Sequence, residues 1–525
     1  MTDDHRPAFA PLFTAFILVM AFAVPLIIFQ GTMDDFAPSV VPSVNEILQY
    51  GHLPDSTPVN QVPGYHIFGT FIVLLVNIPV EDLPVFPVQV IPLLLLIFAV
   101  YYRISGSLLL AGLVTLIEMI SGTNGSERIF FWPHGMGYIL FLLLVLLILL
   151  ILEEKGFRSR KYLFLASIAG TTLILISYDY AAMALMLLFM LYAIQRVLPS
   201  DESVVQSRKQ WVLLLSVLVV VQFGISQFFY VYFIPNLKIG NPWEISVIDK
   251  FFMLFFQAES VQTPLQGLYM TFPVILTRLA MLKYSLLVIS IFVLIFFVLK
   301  KWRGRVSLDP FDTFTLAILL MAAVYAGLRT GMGALSITDV YLPGLFATIW
   351  IYRRGGVGRR YAIGLIAVLL VFAPLYLGGI LHYQMRNQDS SLFHELDSPA
   401  QWLYLHGDRN NWAFSDVMTM NRMNGAIAVR NNLTYDEVSQ TIQVLQSAHV
   451  VSLLGKSPRY YPRSYFILNF RLNSMSLEQY RILKSWRFIE DTIESGRNSA
   501  KIYASGAVSV FVASDPSMVP EPQPD

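Results

Sequence analysis

The chain contains no cysteine. Disulfides, thiolate metal sites and a cysteine nucleophile are therefore excluded. It is also poor in charge: Asp, Glu, Lys and Arg make up 14% of its 525 residues, where soluble domains carry roughly 25%. That deficit argues against an all-soluble enzyme, and the apolar excess rules out a disordered chain. The 36 basic residues nearly cancel the 35 acidic ones, so the total charge points to neither a nucleic-acid nor an acidic partner. No internal repeat is evident. The one biased stretch is the Pro-rich end, Pro516 to Asp525, which is expected to fray.

Apolar residues dominate what remains, at 55% with a mean hydropathy of +0.59. Runs of about 17–25 apolar residues, enough to cross a bilayer, lie near 11–30, 84–102, 104–121, 135–153, 161–177, 179–196, 211–234, 281–300, 311–328, 337–352 and 361–381. The fold class expected is a polytopic α-helical membrane protein of about eleven transmembrane helices. The first run continues past Ala21-Phe22-Ala23, which favours an uncleaved signal anchor over a signal peptide. A twelfth apolar segment, Gly64 to Pro79, is bracketed by Pro63 and Pro79. At ~1.5 Å per residue it reaches only about 24 Å.

The distribution of Lys and Arg arbitrates. If 64–79 does not cross and the N-terminus is cytoplasmic, seventeen basic residues fall in inner segments and five in outer loops. The inner set includes Arg103, Arg158, Arg208, Lys301, Arg353 and Arg354; the outer set is Arg128, Lys238, Lys250, Arg278 and Arg329. A crossing at 64–79 would reverse that bias for every later loop. The segment is therefore expected to lie in the outer interface, and the C-terminus to be extracytoplasmic. Transmembrane residues 1–381 would then carry two long outer loops, 31–83 and 235–280. Within the first, Ser39 to Tyr50 places Val40, Val41, Val44, Ile47 and Leu48 opposite Asn45, Glu46 and Gln49, an amphipathic interfacial pattern.

Residues 382–525 have an ordinary soluble composition and suit one small extracytoplasmic domain. Helix-like stretches (Pro399 to Leu405, Tyr435 to Ser447, Leu477 to Leu483) alternate with strand-like ones (Val450 to Leu454, Tyr465 to Leu468, Val508 to Val512). This predicts an α/β or α+β unit. Trp402, Tyr404, Trp412, Tyr460, Tyr461 and Trp486 would suit stacking on sugars, or equally an ordinary core. Sequons stand at Asn124 and Asn432.

Ionisable groups in or beside spans are costly and are default functional candidates. In this topology they gather at one depth, the outer edge: Asp34, Asp35, Glu118, Glu127, Arg128, His134, Asp179, Arg278, Lys283, Arg329 and Asp339. A transporter more often places its polar site at the midplane. The pattern suggests a reaction site at the outer face, although span ends are where charges belong in any case.

Met33-Asp34-Asp35-Phe36 is the sharpest local feature: two adjacent carboxylates directly after a span, with no Lys or Arg in the loop. Desolvation and like-charge repulsion there would suit a general base; the plain alternative is a solvated membrane-exit loop. Glu127 to His134 leads into the next span, with Pro133 placed to start a helix. His134 would serve as a metal ligand, an acid or base, or a phosphate donor, or simply as a buried structural histidine. A divalent metal held by Asp35 with Glu127 or His134 stays open, with no spacing signature behind it. Arg278, Lys283 and Arg329 suit a phosphate or diphosphate at headgroup depth, or snorkelling and pairing with Asp339. Tyr65 and His66 either line a groove or anchor the interface.

The layout resembles the GT-C class of membrane glycosyltransferases, which includes protein mannosyltransferases, lipid A aminoarabinose transferases and oligosaccharyltransferases. Met33-Asp34-Asp35-Phe36 resembles the acidic motif that follows their first span, and Arg128 to His134 their second-loop segment. His134 stands where relatives often carry Asp after Pro. Lys501 to Val508 followed by Phe511 looks similar to the closing segment of archaeal members. The resemblance implies a polyprenyl-phosphate sugar donor bound in the membrane and a glycan, lipid or protein acceptor. It implies Asp35, or else Asp34, as the catalytic base. Glu127, Arg128, His134, Tyr65, His66, Arg278, Lys283 and Arg329 would contribute to substrate binding. The alternatives are a lipid-linked glycan flippase, a polymer ligase or a non-catalytic envelope scaffold. A flippase should show a hydrophilic path through the bundle, of which the sequence has little.

Overall fold

The computed structural model describes residues 9–29, 40–53, 63–121, 131, 133–154, 157–198, 202–229, 274–304, 308–330, 338–383, 391–407, 412–414, 417–431, 433, 443–445, 464–469, 499–505 and 508–513. Its helices are α1 (Phe9–Phe29), α2 (Val40–Tyr50), α3 (Pro63–Val76), α4 (Val90–Ser105), α5 (Leu108–Ser121), α6 (Pro133–Glu153), α7 (Phe157–Ile176) and α8 (Tyr178–Val197). They continue with α9 (Glu202–Phe229), α10 (Val274–Arg303), α11 (Pro310–Thr330), α12 (Thr338–Arg353), α13 (Gly356–Tyr383), α14 (Ser391–His406) and α15 (Val417–Asn431). A short 3-10 turn spans Val80–Val85.

The apolar segments 135–153, 179–196, 281–300, 311–328 and 361–381 each lie within one helix, whereas 84–102 takes in part of the 3-10 turn before α4 and 104–121 runs from the end of α4 across a break into α5. Among the described residues five helices carry windows long and apolar enough to cross a membrane: Ala10–Ile27, Gly135–Glu153, Arg158–Ile176, Asp179–Val197 and Gly356–Pro374. Large apolar side chains face outward along the bundle, among them Phe16, Phe164, Phe223, Phe296 and Val371. A soluble surface does not carry so many. The chain is a polytopic helical membrane protein. α6 is the central helix, 72% buried over its window, and packs against α4, α7 and α8. α1 is peripheral, at 22%, and packs mainly on α5.

Two expectations about helix faces and ends need correction. α10 begins at Val274 rather than near 281, so Arg278 sits in its second turn and not in the outer loop, and Lys283 lies in its third turn. Its 30 residues span about 45 Å, well beyond the ~30 Å apolar core. A span bounded by its charges therefore underestimates the helix. The second correction concerns α2. It is not a helix with one polar face open: Val40 to Val44 are all buried, and so is Glu46. α3, the 3-10 turn and α15 all pack against it, and the sequence pattern held no sign of α15.

Most of the Gly64 to Pro79 segment lies in α3, whose 14 residues reach about 21 Å, short of the bilayer core. One face, with Tyr65, His66, Gly69 and Ile72, is buried; Ile67, Phe71, Leu74 and Leu75 are exposed. It ends at Asn77, in the left-handed region at φ 56°, whose N–H bonds Val73 O at 2.9 Å.

In the tail, strands β1 (Trp412–Phe414), β2 (Gln443–Leu445), β3 (Ser464–Asn469), β4 (Ser499–Ser505) and β5 (Val508–Ala513) form one sheet in the order β2-β1-β3-β5-β4. β1 pairs in parallel with β2 and β3, whereas β5 is antiparallel to β3 and β4. Ala400, Leu403, Met423, Ala426, Ile427, Ala428, Ile467 and Val510 make a second, smaller core between α14, α15 and the sheet. Tyr465 to Leu468 and Val508 to Val512 lie in β3 and β5, and Pro399 to Leu405 lies in α14. Gln443–Leu445 is a strand inside the stretch expected to be helical, because parallel pairing with β1 outweighs the local helix pattern. Val450 to Leu454 and Leu477 to Leu483 lie outside the described residues.

Candidate functional site

The bundle has two chemically different ends. At one, which we call the basic end, alternate helix termini meet through charges. Arg103 at the end of α4 pairs with Glu153 at the end of α6. Arg353, at the end of α12, donates to Ile104 O at 3.3 Å and lies 4.1 Å from the Phe311 ring. Arg208 at the start of α9 donates to the Gln195 carbonyl near the end of α8, and Gln210 Nε2 donates to Ser159 Oγ at 2.8 Å.

The strongest knot at this end is one the sequence reading passed over. Asp309-Pro310-Phe311-Asp312 opens α11. Asp309 Oδ1 accepts the N–H groups of Phe311 (2.9 Å) and Asp312 (2.8 Å), and Asp312 Oδ2 accepts the Asp309 N–H at 3.3 Å. This is a reciprocal cap with Pro at the first helical position. Asp312 is fully buried; Lys301 Nζ reaches it at 2.6 Å and Trp350 Nε1 at 2.9 Å, and Arg354 is its third partner. One carboxylate thus ties α10, α11 and α12 together. The capping pattern at 309–312 was the available signal; the partners came from distant helices.

At the opposite end, which we call the tyrosine end, acids meet hydroxyls. The Tyr138 hydroxyl, in the second turn of α6, donates to Glu118 Oε1 in the last turn of α5. Both side chains are buried. Tyr138 lies against Tyr180, with ring centroids 5.7 Å apart, and Phe141 packs on the same ring at 5.9 Å. The Tyr325 hydroxyl in α11 donates to Asp179 Oδ1 at the start of α8, at 3.2 Å. Asp179 is half-buried. Gly137 makes this end tight: a Cβ there would stand 2.5 Å from Ser177 Cβ and 2.7 Å from the Tyr180 ring.

The structure joins two of the candidate segments here. Tyr65 stacks on Phe131, 4.3 Å between centroids at 13°, and its hydroxyl donates to Phe131 O at 3.1 Å. Phe131 is fully buried and also packs beneath Gly69. The first-loop helix α3 is therefore clamped to the segment that leads into α6. His66 is buried edge-on against Tyr65 at 5.4 Å. Neither residue is an exposed interface anchor, and Tyr65 is fixed by its ring and its hydroxyl together.

His134 stands in the first turn of α6, after the expected start at Pro133. Arg329 is in the last turn of α11, one turn beyond Tyr325. Arg278 and Lys283 are near the start of α10, whose other end carries Lys301 at the basic end. All four positions thus belong to helix ends at the tyrosine end. Asp34, Asp35, Glu127 and Arg128 lie outside the described residues, as do both sequon asparagines. Among the described residues no three His, Asp or Glu come together as a metal site. In the tail Trp402 and Tyr404 are half-buried and pack against the second core, and Trp402 also lies 5.6 Å from the His406 ring. That is core packing rather than an open stacking platform.

No family model and no curated protein matches the chain. Two solved structures align over most of it at low identity. ArnT from Cupriavidus metallidurans, bound to undecaprenyl phosphate, is 11% identical with a TM-score of 0.43, covering 98% of this chain and 99% of that one. The apo oligosaccharyltransferase from Archaeoglobus fulgidus is 12% identical with a TM-score of 0.48, covering 91% of this chain and 72% of that one.

Proposed function

We propose that the chain is a GT-C-type glycosyltransferase that moves a sugar from a polyprenyl-phosphate donor to an acceptor at the tyrosine end of the bundle. In this reading the basic end is cytoplasmic, in line with the positive-inside rule. The tyrosine end and the tail, residues 382–525, are extracytoplasmic, and residues 1–381 form the membrane domain. The observation that carries the proposal is the convergence at one end of Tyr65 with Phe131, Glu118 with Tyr138, and Asp179 with Tyr325. The helix termini bearing His134, Arg278, Lys283 and Arg329 lie at that same end.

Asp35 acts as general base, with Asp34 as its neighbour. It takes the proton of an acceptor hydroxyl; that oxygen forms a bond to the anomeric carbon, and the bond from that carbon to the lipid phosphate breaks. The configuration inverts, and the phosphate leaves with both bonding electrons. Arg278, Lys283 and Arg329 offer the positive charge that stabilises the departing phosphate. Glu127, Arg128, Tyr65 and His66 complete the substrate pocket. Asp35, Glu127 and His134 are the proposed ligands of any divalent ion, whose contribution would be added charge at the phosphate; no step above passes through it.

The test replaces Asp35 and Asp34 separately by Asn and follows sugar transfer in membranes. Loss of the base should lower the rate by roughly 10²–10⁴-fold. Full transfer by both variants would overturn the assignment.

A further inference from the structure

Three cations where α8 ends and α9 begins stand apart from the ion pairs of the basic end: Arg196, Arg208 and Lys209. The described acids there are engaged elsewhere, Glu153 with Arg103, Glu154 with Arg158, and Asp309 and Asp312 with Arg354. Among the described side chains no carboxylate pairs with these three. Arg208 is half-buried and turns inward to α8 instead of snorkelling to water. Among the described residues it donates only to a neutral group, the Gln195 carbonyl, and its Nε is buried without an acceptor. A guanidinium carries five N–H donors, so most of this one's capacity is unused.

Gln195 directly precedes Arg196, so the Arg208 guanidinium lies against the backbone that carries Arg196. Arg196 folds back by one turn. Its Nε donates to the Tyr192 hydroxyl at 3.3 Å, and its guanidinium carbon stands 5.9 Å from that ring's centroid. The stack holds the side chain and leaves its two Nη groups for another acceptor. The frame around the cleft is tight. Gln210, two residues past Arg208, bonds Ser159 on α7, and a Cβ at Gly170 of α7 would stand 2.6 Å from the Leu218 side chain of α9.

Beyond the cations the surface turns apolar. Lys209 is exposed, and Val212 and Leu213 are exposed one turn further along the same face of α9, followed by Val220 and Phe223. Phe189 is exposed on α8, two turns before Arg196. From Lys209 to Val220 the helix rises about 16 Å, roughly half of the ~30 Å hydrocarbon core.

We propose that the cleft between α8 and α9 at the basic end binds an anionic glycerophospholipid. Arg208 and Arg196 hold its phosphate, Lys209 adds positive charge beside them, and its acyl chains lie along the apolar stripe of α9 and Phe189 of α8. Arginine forks match phosphate oxygens, and basic pockets between transmembrane helices suit anionic headgroups. A free phosphate would use the cations and leave the stripe without a role. A choline lipid would bring its own ammonium to the arginines. The bound lipid ties α8 to α9 where they meet. The inference needs only the membrane fold and is independent of the transferase reading.

The test titrates the purified, delipidated full-length chain in neutral detergent with phosphatidylglycerol and follows Tm, which rises with occupancy of a ligand that binds the folded state. Phosphatidylglycerol should raise Tm saturably; phosphatidylcholine and inorganic phosphate at the same concentrations should not. Arg196→Gln combined with Arg208→Gln should weaken the apparent affinity by roughly tenfold or more. Arg196→Gln alone alters one exposed side chain, keeps the fold and should weaken it about threefold. Arg359→Gln is the control: that arginine is exposed and stacked on Tyr352 in the same way, at the start of α13, and its loss should change nothing. An absent response in the parent chain, or one that both arginine variants retain undiminished, would overturn the proposal. The single variant decides if the double one does not fold. An equal response to phosphatidylcholine would remove the anionic headgroup, and an equal response to inorganic phosphate would remove the lipid; either overturns the proposal.

Discussion

The two ends of the bundle give their acids different hydrogen-bond donors. At the basic end Asp312 meets an ammonium, a guanidinium and an indole N–H, and Glu153 meets Arg103. At the tyrosine end Glu118 and Asp179 each accept from a phenol. The ion pairs and the indole bond at Asp312 lock α10, α11 and α12 together. The phenols at the other end orient Glu118 and Asp179 across helix pairs. This difference in donor chemistry accompanies placing the proposed reaction at the tyrosine end and the structural anchor at the other.

The contrast is easiest to break at Asp312. Asp312→Ala leaves Lys301 facing a buried site without that acid and Arg354 with Asp309, and should destabilise the chain by roughly 3–5 kcal/mol. Thermal unfolding in detergent measures it, and wild-type stability would refute the anchor. Gly137→Val drives a side chain into Ser177 and Tyr180 and should cost about 1–3 kcal/mol with a fall in transfer rate, read by the same melt beside an activity assay. Tyr138→Phe removes the donor to buried Glu118 and should cost about 1–3 kcal/mol; Tyr325→Phe should cost less, because Asp179 is partly open to water. If these two variants retained full stability and full transfer, the tyrosine end would lose its special status. Arg103→Ala breaks a pair whose arginine is 40% exposed and should change stability by only about 0–1 kcal/mol. A larger loss there would mean that the outer rim of the basic end matters as much as its Asp312 knot.

How much of this was legible in the sequence depended on range. Apolar runs of helical length report burial directly, so runs such as 135–153, 179–196 and 361–381 are helical, while the ends of 84–102 and 104–121 were misplaced because apolarity continues through the turns beside α4. The Lys and Arg bias grouped Arg103, Lys301, Arg353 and Arg354 before any contact was known, and the structure brings them to one end. Asp309 and Asp312 carried a local cap signature that gave no hint of Trp350 or Arg354. Glu46 looked like part of an open polar face because the pattern of one helix cannot register a helix nearly 380 residues later that packs against it. Gln443 to Leu445 followed β1 into a parallel pair against its own helical pattern. Glu118 and Asp179 were singled out as charges at span edges; their tyrosine partners, 20 and 146 residues away, were not. Long-range partners are where single-sequence reasoning stops, and the site is built mostly from them.

The most direct test of the account is transfer by the purified chain in sealed proteoliposomes, with a labelled polyprenyl-phosphate sugar confined to one leaflet and acceptor supplied on the same side. The account predicts product and free polyprenyl phosphate only when donor and acceptor share the side of the tail and the tyrosine end. Transfer from the side of Lys301, Asp312 and Arg354, or movement of the lipid between leaflets without any sugar transfer, would contradict it.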